Sequence, residues 1–334
     1  MSKYTFKTLD KEEFPKWEQL LAKVPEPSPF MSSDWFSSYC EASNEKFEIV
    51  ACFKNDELIA GFAYLYRVKF GKYKLIVNLL GIDNYMVILT RDTKLESKKE
   101  SHYFEIIKEF TNFLEQQYSH VEFTLNCATT DIRPLQWNGY SEEIRYTYRG
   151  AIKSPEQLLS EFNPDIRNKI KKAQKLNYSF DSSSSQEQMK LSYDLIDRSL
   201  KKNNKPHILA KEQFISLLTK LSELNKAIVC NIFLDDVAIA TRVLVLNSEI
   251  AVDFQAGGNE EYFNTGLNQL LSYKIFEMLH EKGVKTYDFR GANTPSIAKY
   301  KSGFNFIAEP YYHVAKDSGQ IFKLLLRLKK LTQK

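Results

Sequence analysis

A strand–turn–strand motif occurs twice along the chain, and this repeat constrains the fold more than any other feature. Residues 49–61 have the sequence IVACFKNDELIAG, and residues 228–241 have the sequence IVCNIFLDDVAIAT. In each case apolar runs flank a short polar turn, and further strands, a long helix and an apolar strand follow. The same order of elements in both halves indicates an internal duplication.

The duplication predicts an α/β (α+β) protein with two domains, at 1–150 and 151–316. The chain has 334 residues, and a single hydrophobic core rarely grows beyond about 250–300 residues. In the first domain the patterning predicts helices at 11–24, from 33 or 34 and at about 100–117, and strands at 48–54, 58–68, 74–80, 85–90, 121–126 and 144–152. In the second it predicts helices at 155–162, 165–176, 186–203, 211–224 and 265–282, and strands at 228–233, 237–246, 250–255 and 284–289.

Composition excludes several functional classes. The net charge is only +4, so the protein has no general polycationic surface, and any polyanion must bind a local cluster. The four cysteines are scattered without a CxxC pattern, which predicts no metal site and no tightly bound cofactor. The sequence shows neither an apolar signal segment nor a run of 18 apolar residues. We therefore expect a cytoplasmic protein.

The first segment with chemical potential is a basic helix at 167–175, RNKIKKAQK. It has five basic residues and no acid, and Arg167 and Lys171 are neighbours on a helix because they are four positions apart. Such a cluster suits the phosphates of a nucleotide, a lipid or RNA. The alternative is an ordinary solvated helix face.

The second segment is 287–304, YDFRGANTPSIAKYKSGF. An apolar strand runs into Asp288, Arg290 and a glycine, as expected at a ligand crevice in an α/β sheet. Lys301 follows between aromatic residues, where a charged lysine would stabilise the oxyanion of a reacting carbonyl. The alternative is a strand-end salt bridge between Asp288 and Arg290 with a solvated Lys301. Under the first interpretation, replacing Lys301 with Met should abolish turnover and barely change the melting temperature. A near-normal rate in that variant would favour the second.

The third segment, 254–266, joins Gln255 and two glycines to a helix that Asn264 or Thr265 would cap. A helix N-terminus favours anions. The glycine-rich pattern that cradles the pyrophosphate of acetyl-CoA is absent from this segment, and Walker and GxGxxG loops are absent from the sequence.

Taken together, these motifs resemble the Fem-type (FemAB-like) aminoacyltransferases. The resemblance rests on RNKIKKA at 167–173, DFRG at 288–291 and YKSGF at 300–304, and it extends over roughly 28–313. It implies two tandem GNAT-like domains, each a mixed, mostly antiparallel sheet flanked by helices.

The resemblance also implies a function. The protein would be an acyltransferase that moves an aminoacyl or acyl group from aminoacyl-tRNA or acyl-CoA to an amine or hydroxyl of a cell-envelope or polysaccharide precursor. Its partners would be an anionic or lipid-linked precursor and aminoacyl-tRNA. The alternative is a catalytically silent GNAT-fold module that binds an anionic ligand such as a nucleotide-sugar, a lipid phosphate or RNA.

By the same resemblance Lys301 falls on the lysine of an F-K-x-G-F motif assigned to the reaction centre, with Tyr300 in place of the usual Phe. Lys202 falls near an arginine that binds precursor phosphates. The candidate catalytic residues are thus Lys301, Asp288 and Arg290. The candidate substrate-binding residues are Arg167, Asn168, Lys169, Lys171, Lys172, Lys202, Gln255, Tyr300 and Phe304.

Residues 317–334 alternate leucines with lysines and arginines. This pattern predicts a basic amphipathic helix. It would either lie on an anionic membrane, placing the protein at the inner face, or dock on the protein's own core.

Overall fold

The computed structural model describes residues 3–319. The elements of the first half are β1 (Thr5–Thr8), α1 (Phe14–Leu21), α2 (Ser33–Ser43), β2 (Lys46–Lys54), β3 (Glu57–Lys69), β4 (Tyr73–Val77), β5 (Val87–Ile88), α3 (Glu96–Gln117), β6 (His120–Thr124), α4 (Arg133–Trp137) and β7 (Ser141–Ala151). Those of the second half are α5 (Pro155–Glu161), α6 (Pro164–Ala173), β8 (Tyr178–Asp181), α7 (Gln186–Lys202), α8 (Lys211–Glu223), β9 (Ala227–Leu234), β10 (Val237–Leu246), β11 (Ile250–Gly258), α9 (Leu267–Glu281), β12 (Thr286–Asp288), α10 (Pro295–Ser302) and β13 (Ile307–Asp317).

The chain divides into two compact units. Unit 1 contains the residues up to Ile144 and the described residues from Tyr311, and unit 2 is Arg145–Pro310. These bounds differ from the division at 150 that the sequence suggests. The reason is strand pairing: β13 pairs with β6 in unit 1 and the end of β7 pairs with β12 in unit 2. A sequence does not reveal the distant partner of such a strand.

Each unit contains a mixed, mostly antiparallel sheet flanked by helices, which confirms the predicted fold class. The strand order is β1-β2-β3-β4-β6-β13 in unit 1, with β5 beside β3, and β7-β12-β11-β10-β9-β8 in unit 2. Each sheet has one parallel pair, β4 with β6 and β11 with β12. In each unit a long helix, α3 or α9, connects the two parallel strands.

The two predicted hairpins form with matching details. Their turns, Asn55-Asp56 and Asp235-Asp236, both have left-handed backbone with φ between 48° and 64°, as short hairpin turns require. Each hairpin also has a register shift just after the turn, at Ile59 and at Ile239. Because a bulge and a turn recur at equivalent positions, the structure supports the internal duplication.

Apolar residues from both sides of each sheet form the cores. The core of unit 1 is rich in fully buried aromatic residues, including Trp17, Trp35, Phe62, Phe110 and Phe123. In unit 2 the apolar face of α9 packs with the strands and with α6. No helix within residues 3–319 is long and apolar enough to cross a membrane.

Several elements differ from the sequence prediction. The predicted strand at 85–90 is reduced to β5, and β1, β8, α10 and β13 were not predicted. Gly266, rather than Asn264 or Thr265, is the N-cap of α9, with a φ of 87°. A Cβ at Gly266 would lie 2.2 Å from the carbonyl oxygen of Lys169, so glycine allows α6 to approach α9. The predicted helix at 317–334 lies almost entirely outside the described residues.

Candidate functional site

The site in unit 2 lies where the parallel strands β11 and β12 separate. Their pairing ends at Val252 and Asp288. Beyond this point the chain after β12 follows β7, because Phe289 N–H donates to the Tyr148 carbonyl at 3.0 Å and Ala292 N–H to the Tyr146 carbonyl at 2.7 Å. The two parallel strands therefore separate at their carboxyl ends, the usual ligand position in such sheets, and we call this gap the crevice.

Strand β11 is irregular at the same place. Asp253 pairs with Leu244 and Gln255 with Val243, which leaves Phe254 as an extra residue in a β-bulge. The guanidinium of Arg290 donates to the Phe254 carbonyl at 3.3 Å. Bulges next to active sites re-aim the backbone. The structure thus places Arg290, a candidate catalytic residue, beside the bulge at the crevice.

Lys301 is buried, with 8% of its surface exposed. Its ammonium donates to the carbonyl oxygens of Phe289 and Gly291, both at 2.7 Å, and to that of Arg290. Burial lowers the pKa of Lys301 to about 8, and the Asp253 carboxylate limits the shift. An ammonium has three N–H groups, and all three are engaged. The burial of Lys301 differs from the solvated lysine of the alternative interpretation, and its three engaged N–H groups point to a role in fixing the loop and not in direct donation to an oxyanion.

The three carbonyls belong to a loop that Lys301 holds in an unusual conformation. Arg290 and Gly291 both have left-handed backbone, with φ of 47° and 55°. A trans peptide directs its N–H opposite to its C=O, so the Gly291 N–H points away from Lys301. Within residues 3–319 this N–H has no backbone acceptor. The loop therefore presents one backbone donor on the side opposite the lysine.

Asp288 anchors the beginning of this loop. Its carboxylate accepts hydrogen bonds at 2.6 Å from both the Thr147 hydroxyl and the Arg290 N–H, and it lies 3.4 Å from the Arg149 guanidinium. Burial raises the pKa of Asp288, while the Thr147 hydrogen bond and Arg149 act in the opposite direction. Asp288 thus contacts the backbone N–H of Arg290 and the guanidinium of Arg149, in place of the strand-end ion pair with Arg290 that the alternative interpretation proposed.

A buried ion pair that the sequence argument missed lies beneath the loop. Arg242 and Asp253 form a hydrogen-bonded pair with side chains only 6% and 5% exposed. Burial raises the pKa of Asp253, while Arg242 and Lys301 oppose that effect. The signal was present in the sequence, since both charges interrupt otherwise apolar strands.

Tyr300 connects the ion pair to α9. Its hydroxyl accepts from Arg242 at 3.1 Å, contacts the Ser272 hydroxyl at 3.0 Å and donates to the Asn268 carbonyl at 3.1 Å. Tyr300 thus supports the site from within, although it was a candidate substrate-binding residue. Its neighbour Lys301 lies on the same short helix, α10.

Two other candidate residues have different surroundings. Phe304 is 1% exposed and packs against Phe162, Phe289 and Tyr300, so its place is in the core and not on a binding surface. Gln255 follows the bulge and is half-buried. Its side chain lies beside His207, where it opposes the lowering of the His207 pKa by burial, and its contact with a ligand stays a prediction.

The basic helix is α6, and its apolar side (Ile166, Ile170 and Ala173) is buried. Asn168, Lys169, Lys171 and Lys172 are exposed. The Lys172 ammonium donates to the Asn264 carbonyl at 3.2 Å, and the backbone of Lys169 touches Gly266. This places the lysines beside the N-terminus of α9, whose first turn has no acidic residue.

Two candidates contribute little to that basic surface. Arg167 is half-buried and donates to the Ser160 carbonyl at 3.3 Å. Lys202 forms an exposed ion pair with Glu260, and its expected contact with precursor phosphates stays a prediction. The structure therefore separates the candidates into a crevice group on β11, β12 and α10 and an exposed group on α6.

The chain is similar to known proteins in sequence and in fold. Residues 160–302 match the family described as "Acetyltransferase (GNAT) domain". No curated protein matches the chain in sequence. Among solved structures, the chain is similar to FemX, with a TM-score of 0.69 and 12% identity over 92% of this chain and 96% of that one.

Two further structures share the fold over both units. A tandem GNAT protein from the clavulanic acid biosynthesis pathway has a TM-score of 0.56 and 12% identity, over 95% of this chain and 99% of that one. L-PGS from Bacillus licheniformis has a TM-score of 0.53 and 12% identity, over 96% of both chains. The chain therefore has a tandem GNAT-like fold similar to that of FemX, and its residues 160–302 match the GNAT acetyltransferase domain family. These findings confirm the predicted resemblance at the level of the fold.

Proposed function

We propose, starting from a GNAT acetyltransferase domain in a Fem-type tandem GNAT fold, that this protein transfers an aminoacyl or acyl group to an amine or hydroxyl of a cell-envelope or polysaccharide precursor. The observation that carries the proposal is the crevice between β11 and β12. It lies within the matched domain and combines a bulge at Phe254 with a loop that the buried Lys301 holds in place.

In the proposed reaction the lone pair of the acceptor attacks the carbonyl carbon of an ester or thioester donor. The C–O or C–S bond to the carrier breaks, and the acceptor's proton goes to the leaving group. A tetrahedral oxyanion forms on the way, and a fixed donor facing it lowers the barrier. We assign the role of that donor to the Gly291 N–H, which Arg290 adjoins. Lys301 and Asp288 are positioning residues that fix the loop.

The donor's anionic carrier is proposed to bind the exposed lysines of α6 beside the N-terminus of α9. Helix N-termini and lysines both favour phosphate. The acidic residues that precede α9 do not oppose this, because Glu260 is paired with Lys202 and Glu261 lies 3.8 Å from Arg198. Aminoacyl-tRNA and acyl-CoA both carry phosphates, so both remain donors to be tested.

The experiment is a transfer assay with two donor pools, charged tRNA and acyl-CoA, each mixed with nucleotide-sugar and lipid-linked acceptors carrying free amines or hydroxyls. Mass spectrometry should show an acceptor whose mass has increased by one acyl or aminoacyl group. Lys301→Met should abolish the product, and Lys299→Met, an exposed lysine on the same helix, should not. Saturable binding of a donor without any product would instead favour the catalytically silent module.

A further inference from the structure

Unit 1 contains a cavity of about 720 Å³ that the proposed reaction does not use. The lining residues lie between Val24 and Asp131, all within unit 1. The cavity reaches the carboxyl end of β6 and the first turns of α3, which is the position of the crevice in unit 2. Its volume falls in the range of roughly 300–1,000 Å³ that small-molecule sites occupy.

The walls of the cavity are mainly apolar. They include Val24, Met86, Leu89, Ile107, Phe123 and Leu125. These side chains come from the segment after α1, from β5 and its flanks, from α3 and from β6 with the residue after it. An alkyl or acyl chain would gain the usual hydrophobic free energy, about 25 cal/mol per Å² of apolar surface removed from water, by entering this space.

Carboxylates line the polar part of the cavity, at the start of α3 and in the loop after β6. They belong to Glu96, Glu100 and Asp131. Each already has a cation, since Glu96 pairs with Lys99 at 2.7 Å, and Glu100 and Asp131 both pair with Arg133. A ligand anion would lie among three carboxylates, and a ligand cation would have to displace an existing partner.

Lys99 itself lies in the lining, and His102, a further titratable group there, is neutral near pH 7. Burial lowers the pKa of His102, and the nearby charges of Lys54 and Arg91 act in the same direction. Ser97 and Thr130 add exposed hydroxyl groups to the lining. The three carboxylates thus share two cations, Lys99 and Arg133, so the polar part disfavours an anionic head group and offers hydrogen bonds to a neutral one.

We infer that unit 1 binds an uncharged amphiphile, with its alkyl or acyl chain in the apolar cavity and a hydroxyl- or amide-bearing head group against Ser97, Thr130 and the carboxylates. Amphiphiles with a phosphate or carboxylate head group are disfavoured because that group would lie among the same carboxylates. The binding does not depend on acyl transfer in unit 2, so it can be present in a protein that lacks the proposed activity.

The test uses the full chain and a neutral fluorescent probe, N-phenyl-1-naphthylamine. Its fluorescence should rise saturably on binding, and monolauroylglycerol, kept below its aggregation concentration, should displace it. Laurate has the same chain with a carboxylate head and should displace it at least about tenfold less well, a difference of about 1.4 kcal/mol. Equal displacement by both, or no saturable signal, would overturn the inference.

Two variants locate the ligand. Ala128 lines the cavity and is exposed, so Ala128→Phe should obstruct it without disturbing the core and weaken probe binding about tenfold or more. Ala151→Phe, an exposed alanine outside the lining, should bind as the wild type does. If Ala128→Phe also binds normally, the ligand lies elsewhere and the inference fails.

A double variant tests whether the carboxylates select the charge of the head group. Glu96 and Glu100 have side chains 82% and 48% exposed, so their replacement should not affect folding. The double variant Glu96→Gln and Glu100→Gln should improve laurate binding and leave monolauroylglycerol binding unchanged. Unchanged preference between the two lipids would show that the carboxylates do not select the head group and would overturn that part of the inference.

Discussion

The two units share a fold and differ in where they bury charge. Among residues 3–319 the buried charged side chains, Arg242, Asp253, Asp288 and Lys301, all lie in unit 2. The hairpin alignment places Phe62, which is fully buried in unit 1, at the position of Arg242. Buried charge is costly and needs dedicated partners, which supports the proposal that the reaction takes place in unit 2.

The region beyond the two parallel strands also differs between the units. Beyond the parallel strands, unit 1 has an apolar cavity, whereas unit 2 has a loop whose carbonyls converge on Lys301. A duplicated fold can thus keep one half for chemistry and the other for binding, because function depends on the side chains at the site and not on the fold.

The largest expected effect comes from breaking the buried ion pair. Arg242→Met leaves Asp253 buried without its partner, so the free energy of unfolding should fall by about 3–5 kcal/mol. Urea denaturation of this variant and of Phe62→Met, the equivalent change in unit 1, measures the difference. Phe62→Met exchanges one large apolar side chain for another and should cost about 1–1.5 kcal/mol.

A second variant separates stability from function at the same pair. Arg242→Met combined with Asp253→Leu removes both charges and should recover most of the lost stability, while transfer stays impaired because Tyr300 loses its guanidinium partner. If Arg242→Met costs no more than Phe62→Met, buried charge does not distinguish the units.

Lys301→Met should have the next largest effect. It leaves the carbonyls of Phe289, Arg290 and Gly291 without their donor, so we expect a loss of about 2–3 kcal/mol in unfolding free energy and a drop of about 100-fold or more in turnover. This replaces the expectation, drawn from sequence alone, of an unchanged melting temperature. Thermal unfolding and the transfer assay on Lys301→Met and Lys299→Met measure both effects.

The pH profile gives a readout that a purely structural lysine would not produce. Since burial lowers the pKa of Lys301 to about 8, a rise in pH through that value removes one of three N–H donors from the loop. Turnover should therefore fall above about pH 8 while the fold persists, as circular dichroism would show. A flat profile from pH 7 to 9.5 would remove Lys301 from the positioning role.

A smaller effect is expected at the end of the sheet in unit 1. His120 lies 2.7 Å from Asp317 and 3.3 Å from Glu122. Burial opposes a charge on His120, but the hydrogen bonds with Glu122 and Asp317 outweigh it and raise its pKa. Its contribution should be fully present below the unfolded-state pKa of about 6.5 and be lost as pH rises through the higher folded-state pKa.

The measurement is the free energy of unfolding against pH for the wild type and His120→Asn. Because both partners are partly exposed, the wild type should lose only about 0.5–1 kcal/mol across that window, and the variant should not. A wild type that gains stability over the same window would contradict the sign.

How much of this was predictable depends on the range of the interactions. The two hairpins follow from alternating apolar residues and polar turns, and the sequence predicts both closely. β13 was missed because it depends on pairing with β6, almost two hundred residues earlier in the chain. Lys301 was identified from its position between aromatic residues and by resemblance, but its burial depends on how the loop after β12 folds back, which no local pattern encodes. Arg242 could have been found as a charge inside an apolar strand.

The smallest effect on stability is expected at the exposed lysines of α6. Lys171→Glu combined with Lys172→Glu changes two solvent-facing side chains, so the free energy of unfolding should change by no more than about 0.5 kcal/mol for each substitution. Binding of a polyanionic donor should nevertheless weaken, and the slope of log affinity against log salt should decrease by up to about 2, because each phosphate contact contributes close to one unit.

The matched control is Lys98→Glu with Lys108→Glu, which makes the same charge change on exposed positions of α3 in unit 1. Filter binding of tRNA and titration of CoA across several salt concentrations measure both variants. If the α3 variant weakens binding as much as the α6 variant, the protein attracts the donor through its net charge; if only the α6 variant does, the anion-binding surface belongs to unit 2 along with the buried charges.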